Sequence, residues 1–118
     1  MDYITADQEL RKLHAKDLKS SRQYFTARTE FGETDWELTV HLLSRIQADI
    51  KYRKASREKQ VDMLLADCDP EEYDEIAEVV HKWKTQRHRY KAIEQGIACI
   101  RSRISAIQSL LRYAREND

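Results

Sequence analysis

From Asp69 to Glu116 the chain keeps a seven-residue repeat. With Ile76 taken as position d, the later d positions are Trp83, Tyr90, Ile97, Ile104 and Leu111, and none is polar. A seam held in this period over so many turns predicts one long helix with a left-handed supercoil against its neighbours. The start is marked by Asp69 as N-cap, Pro70 at the first helical position and Glu72 at the third. Glu71, Glu72, Asp74 and Glu75 then face the positive end of the helix dipole. The companion row shifts along the way. Tyr73 and Val80 occupy position a, followed by Arg87, Glu94, Arg101 and Gln108, while the apolar row moves to Ile93, Ile100, Ile107 and Ala114 at g. The buried face is therefore expected to turn near Gln86 to Tyr90, with a change of packing partner or a kink.

The rest of the chain is expected to fold back along this helix. Two glycines and one proline in 118 residues leave few turns, and 36% charged with 41% hydrophobic residues suits long two-faced helices. One domain is expected at this length. Thr5, with Gln8 as reciprocal partner, predicts a helix over 6–31 whose stripe is Leu10, Leu13, Leu18, Phe25 and Phe31. Tyr24 to Phe31 is rich in β-formers, but no second strand candidate lies nearby to pair with it. Phe31-Gly32-Glu33 predicts a turn, and Thr34-Asp35-Trp36-Glu37 a capping box opening a helix over 35–66. Its stripe is Trp36, Val40, Leu43, Ile46 and Ile50, resumed by Val61, Leu64 and Leu65. Between Lys51 and Gln60 the stripe nearly vanishes, and a break with Ser56 capping a short helix is the alternative to one continuous helix. The third helix is predicted over 70–116. The fold class is all-α, an elongated antiparallel three-helix bundle with a long C-terminal coiled-coil-like helix. If the second and third helices form a hairpin about residue 68, residues whose numbers sum to roughly 136 lie side by side. Leu43 then meets Ile93, Val40 meets Gly96, and the basic block of residues 51–59 faces the acids of residues 62–78.

The usual signatures of chemistry are thin. Glu78 and His81 have the Glu-x-x-His spacing of di-iron helical bundles, but that site needs two such motifs and further glutamates, and the repeat places this pair outward. His81 and His88 are too far apart along a helix to hold one metal ion. Cys68 lies between Asp67 and Asp69, which disfavours a thiolate, and Cys99 has no base beside it. Two isolated glycines cannot build a phosphate loop. A non-enzymatic chain without cofactor or metal is expected.

Two surfaces remain. In the hairpin register the last helix overhangs its neighbours by roughly 15 residues, about 22 Å. The overhang bears Ile104, Ile107 and Leu111, in line with Ile100, so these four residues are the expected seam of a homodimer or the groove for a partner protein's helix. Lys84, Arg87, His88 and Lys91 form a basic ridge, with Tyr90 nearby to stack on a base, and the alternative expectation is a nucleic-acid contact or an acidic protein contact there. The formal net charge is zero, and no apolar run reaches membrane-spanning length, so no membrane partner is expected. The N-terminus lacks the layout of a signal peptide, and the unpaired cysteine spacing suits a cytoplasmic protein. In size and composition the chain is similar to small helical accessory proteins of bacteriophages and other mobile elements, some of which bind and block host enzymes. That likeness assigns no residue a role. An adaptor, assembly factor or inhibitor is the expected function.

Overall fold

The computed structural model describes residues 2–116. Four helices follow in order: α1 (Tyr3–Ala48), α2 (Ile50–Lys54), α3 (Arg57–Asp67) and α4 (Tyr73–Glu116). Among the described residues there is no strand, and the fold is all-α.

The predicted helix boundaries need correction. The turn at Phe31-Gly32-Glu33 does not exist, and the helices expected over 6–31 and 35–66 join through it as the 46 residues of α1. Asp2 rather than Thr5 caps the start, accepting from the Thr5 backbone N–H at 2.7 Å, which holds the Asp2 carboxyl below its ordinary range. Thr34 is no N-cap. It is buried inside α1, and its hydroxyl donates to the Glu30 carbonyl one turn back. The second predicted helix breaks twice: Asp49 caps α2 through the Lys51 N–H, and Ser56 caps α3 through the Lys59 N–H. Residues 70–72 form a turn ahead of α4, which begins at Tyr73 rather than residue 70.

Continuity through Gly32 follows from packing. Ala27, Phe31, Thr34, Leu38 and Leu42 step by three and four along one face, and all are buried. Burying that face outweighs the roughly 1 kcal/mol a mid-helix glycine costs relative to alanine. No glycine has a positive φ, and a Cβ added at Gly32 would meet nothing within 4 Å. Gly32→Ala should therefore stabilise the protein by about 0.5–1 kcal/mol in urea unfolding. A destabilised variant would mean that the chain turns at this position. Gly96 is equally open, so it does not serve the close approach to Val40 that the hairpin register implied.

The chain divides into two compact units, and both long helices contribute to each. In the first, residues 2–27 pack with residues 89–116. Ala6, Leu13, Ile104 and Ile107 form its core, flanked by Leu10, Ile100 and Leu111. The two helix segments are antiparallel: Glu9 pairs with Arg103 at 3.2 Å, Asp17 with Arg101 at 3.3 Å, and the Tyr24 and Tyr90 rings meet edge to face at 6.2 Å. The second unit is Arg28–His88. Its core comprises Phe31, Leu38, Leu42, Tyr52, Val61, Leu64, Ile76, Val80 and Trp83. The register that pairs residues 35–66 with 70–116 is thus replaced. Trp83 donates its indole N–H to Asp35 at 2.9 Å and lies 5.4 Å from the Phe31 ring.

Candidate interaction surface

Within the second unit α1 is apolar on two opposite faces. At 3.6 residues per turn, Leu38 and Leu42 point the same way as Phe31 and Thr34, and all four are buried. Trp36, Val40 and Leu43 step by four and three along the other side and are 68%, 61% and 51% exposed. Gln47 extends this outer stripe one turn further, so no charge lies on it from Trp36 to Gln47, and Glu33 borders its N-terminal end. The apolar spacing predicts Trp36, Val40 and Leu43 in the core, and the structure reverses that assignment. Both stripes fit a helical period. The inner one is selected because it continues unbroken from Ala27 and Phe31 and because the positions beside it find polar partners. Asp35 takes the Trp83 indole and the Arg57 guanidinium at 3.3 Å, and Arg57 also donates to the Thr39 hydroxyl at 3.0 Å.

The expected seam residues are already covered. Ile104 and Ile107 are each 7% exposed in the core of the first unit, and Ile100 and Leu111 pack against that core, as Leu10 does. The overhang that made them an interface depended on α1 turning back at Gly32. Without that turn, the N-terminal half of α1 lies along them.

The basic ridge is divided. Lys84 pairs with Asp62 at 2.9 Å. Arg87 pairs with Glu58, and its guanidinium lies 5.8 Å from the Trp83 ring centroid. Both acids sit on α3, so these two bases hold α3 against α4, a relation the opposed charge blocks of the sequence did not foresee. His88 is exposed in the same unit, while Lys91 is exposed in the other. Glu78 and His81 are exposed, and the Cys68 thiol donates to the Leu65 carbonyl at 3.5 Å.

One polar cluster has no motif in the sequence. The Tyr52 hydroxyl donates to Asp67 at 2.6 Å, the Gln60 amide donates to the Tyr52 carbonyl at 2.6 Å, and Arg45 donates to the Asp67 carbonyl at 3.3 Å. These bonds tie α2 and α3 to the end of α1. Its signal was Tyr52 itself, a lone aromatic among Lys51, Arg53 and Lys54. Burial, with the Asp67 carboxylate beside it, pushes the Tyr52 phenol up to about 12 from 10.0. Because the folded value is raised, the contribution of Tyr52 is complete below pH 10 and is lost as pH climbs toward 12. Tyr52→Phe should cost about 1–2 kcal/mol at neutral pH, and the gap from wild type should narrow across that alkaline window. A gap that stays constant to pH 12 would remove the cluster from the stability account.

The first unit also carries an open groove of about 520 Å³ lined by Ser21, Tyr24, Glu94, Ile97, Ala98 and Arg101. Its one cation, Arg101, is already paired with Asp17. Among the described residues, no three His, Cys, Asp or Glu side chains converge as metal ligands. No helix among them is long and apolar enough to cross a membrane. No family model, curated protein or solved structure matches the chain.

Proposed function

We propose that this chain is a non-enzymatic protein-interaction module, an adaptor, assembly factor or inhibitor, whose contact face is Trp36, Val40 and Leu43 on α1. The observation that supports the reading is the second apolar face of a helix whose first is already buried. Such an exposed stripe is what helical recognition surfaces present, and tryptophan is the residue most often at the energetic centre of an interface. The free cysteines, one of them exposed, suit a reducing compartment such as the cytoplasm. The pairing of Lys84 and Arg87 with α3 leaves less free positive charge for phosphates than the sequence promised.

A photo-crosslinking residue at Val40, compared with one at the exposed Glu78, tests this in cells of the source organism. The expected result is a defined protein adduct from position 40 that weakens when Trp36→Ala is added. Equal, unselective labelling from both positions would refute the reading.

A further inference from the structure

The charges around the Trp36 face point to a second copy of this chain as its occupant. Resting on the interaction reading above, we propose that two protomers pair antiparallel through α1, with a twofold axis between Val40 and Leu43. Val40 of each protomer then packs on Leu43 of its partner, and Trp36 lies across from Gln47.

The argument is one of sign and end. The N-terminal shoulder of the face carries the exposed acids Glu33 and Glu37. Beyond its C-terminal end lie the exposed bases Lys51, Arg53 and Lys54 on α2. A parallel pair would set acid beside acid and base beside base. The antiparallel pair turns the acidic shoulder of each copy toward the basic end of the other. A closed twofold contact is self-complementary in this way, and it is the commonest symmetry of soluble assemblies. Complementary charge chooses the orientation and excludes the wrong one, while the apolar anchors supply the affinity. The uncharged stripe that each copy covers runs from Trp36 to Gln47, roughly 17 Å of helix at 1.5 Å per residue.

Sedimentation equilibrium of the purified chain tests the pairing. The wild type should be dimeric at about 50 μM, within the affinity range a small interface commands. Val40→Asp with Leu43→Asp should be monomeric there with an unchanged helical circular dichroism spectrum. Glu33→Lys alone should weaken the dimer about tenfold, and adding Lys51→Glu should restore it, a rescue that loss of folding could not produce. Trp36 emission should also shift to the blue as wild-type concentration rises. A wild type that stays monomeric, a dimer indifferent to both aspartates, or a charge reversal without rescue overturns the proposal. A monomer that still gives a defined adduct from position 40 in cells overturns the self-pairing and leaves the interaction reading standing. A monomer with no selective adduct overturns both.

Discussion

Trp83→Ala should cost about 3–5 kcal/mol, the largest loss expected of any single truncation in this chain. Trp83 is 2% exposed, and its ring is held between different kinds of neighbour. Phe31 lies 5.4 Å away on one side, and the Arg87 guanidinium lies 5.8 Å from the ring. Removing the indole opens a large cavity in the second unit and takes from Asp35 its shortest hydrogen bond, at 2.9 Å. Asp35 would retain only Arg57, which also serves Thr39. Trp83→Phe separates the two effects. It keeps most of the apolar contact and deletes the N–H, so about 1–2 kcal/mol is expected for it. Urea unfolding followed by circular dichroism measures both variants. Since small proteins are stable by only about 5–15 kcal/mol, the alanine variant should sit close to its unfolding threshold at ambient temperature. A loss under about 1 kcal/mol for alanine would mean that the indole is not enclosed as described.

Ile104→Asp with Ile107→Asp is the second large effect, and its readout distinguishes two roles for these residues. On a dimer seam the aspartates would separate protomers and leave each one folded. In the structure they lie in the core of the first unit, with Ala6 and Leu13 opposite. Each change forgoes the burial of an isoleucine, about 2–5 kcal/mol, and adds the cost of desolvating a carboxylate that has no partner. That core has few members, so the pair should unfold the first unit. Hydrogen exchange should lose protection at amides of residues 5–27 and 89–114 while residues 31–45 keep theirs. Retained protection in the first group would return Ile104 and Ile107 to the surface.

The six d positions from Ile76 to Leu111 are all buried or half-buried, and Ile93, Ile100 and Ile107 follow the drift to position g while Glu94, Arg101 and Gln108 stay exposed. That much was legible because a long helix with one continuous buried face repeats its apolar residues every three and four, and no competing stripe exists on α4. The expected change of packing partner near Gln86 to Tyr90 also coincides with the boundary between the two units at His88 and Arg89. The caps of α2 and α3 are partly legible: Ser56 offers a cap where the apolar stripe fades, while Asp49 lies within a stripe that reads as continuous.

On α1 the sequence was ambiguous in two places, and only tertiary packing resolved them. Gly32 followed by a capping box reads as a turn, because local signals record what each residue favours in isolation. The buried row from Ala27 to Leu42 outweighs that preference, and its energy comes from residues far along the chain, such as Trp83. The choice between the Leu38 and Trp36 faces was open for the same reason: period identifies a stripe but not what covers it. Composition and repeat alone determined that the chain is helical and that α4 buries one drifting face. Which face of α1 turns inward, what covers Ile104 and Ile107, and where Lys84 and Arg87 spend their charge depend on contacts between distant segments. Sequence periodicity carries no information about those contacts, because the free energy of burial belongs to the pair of surfaces and not to either one.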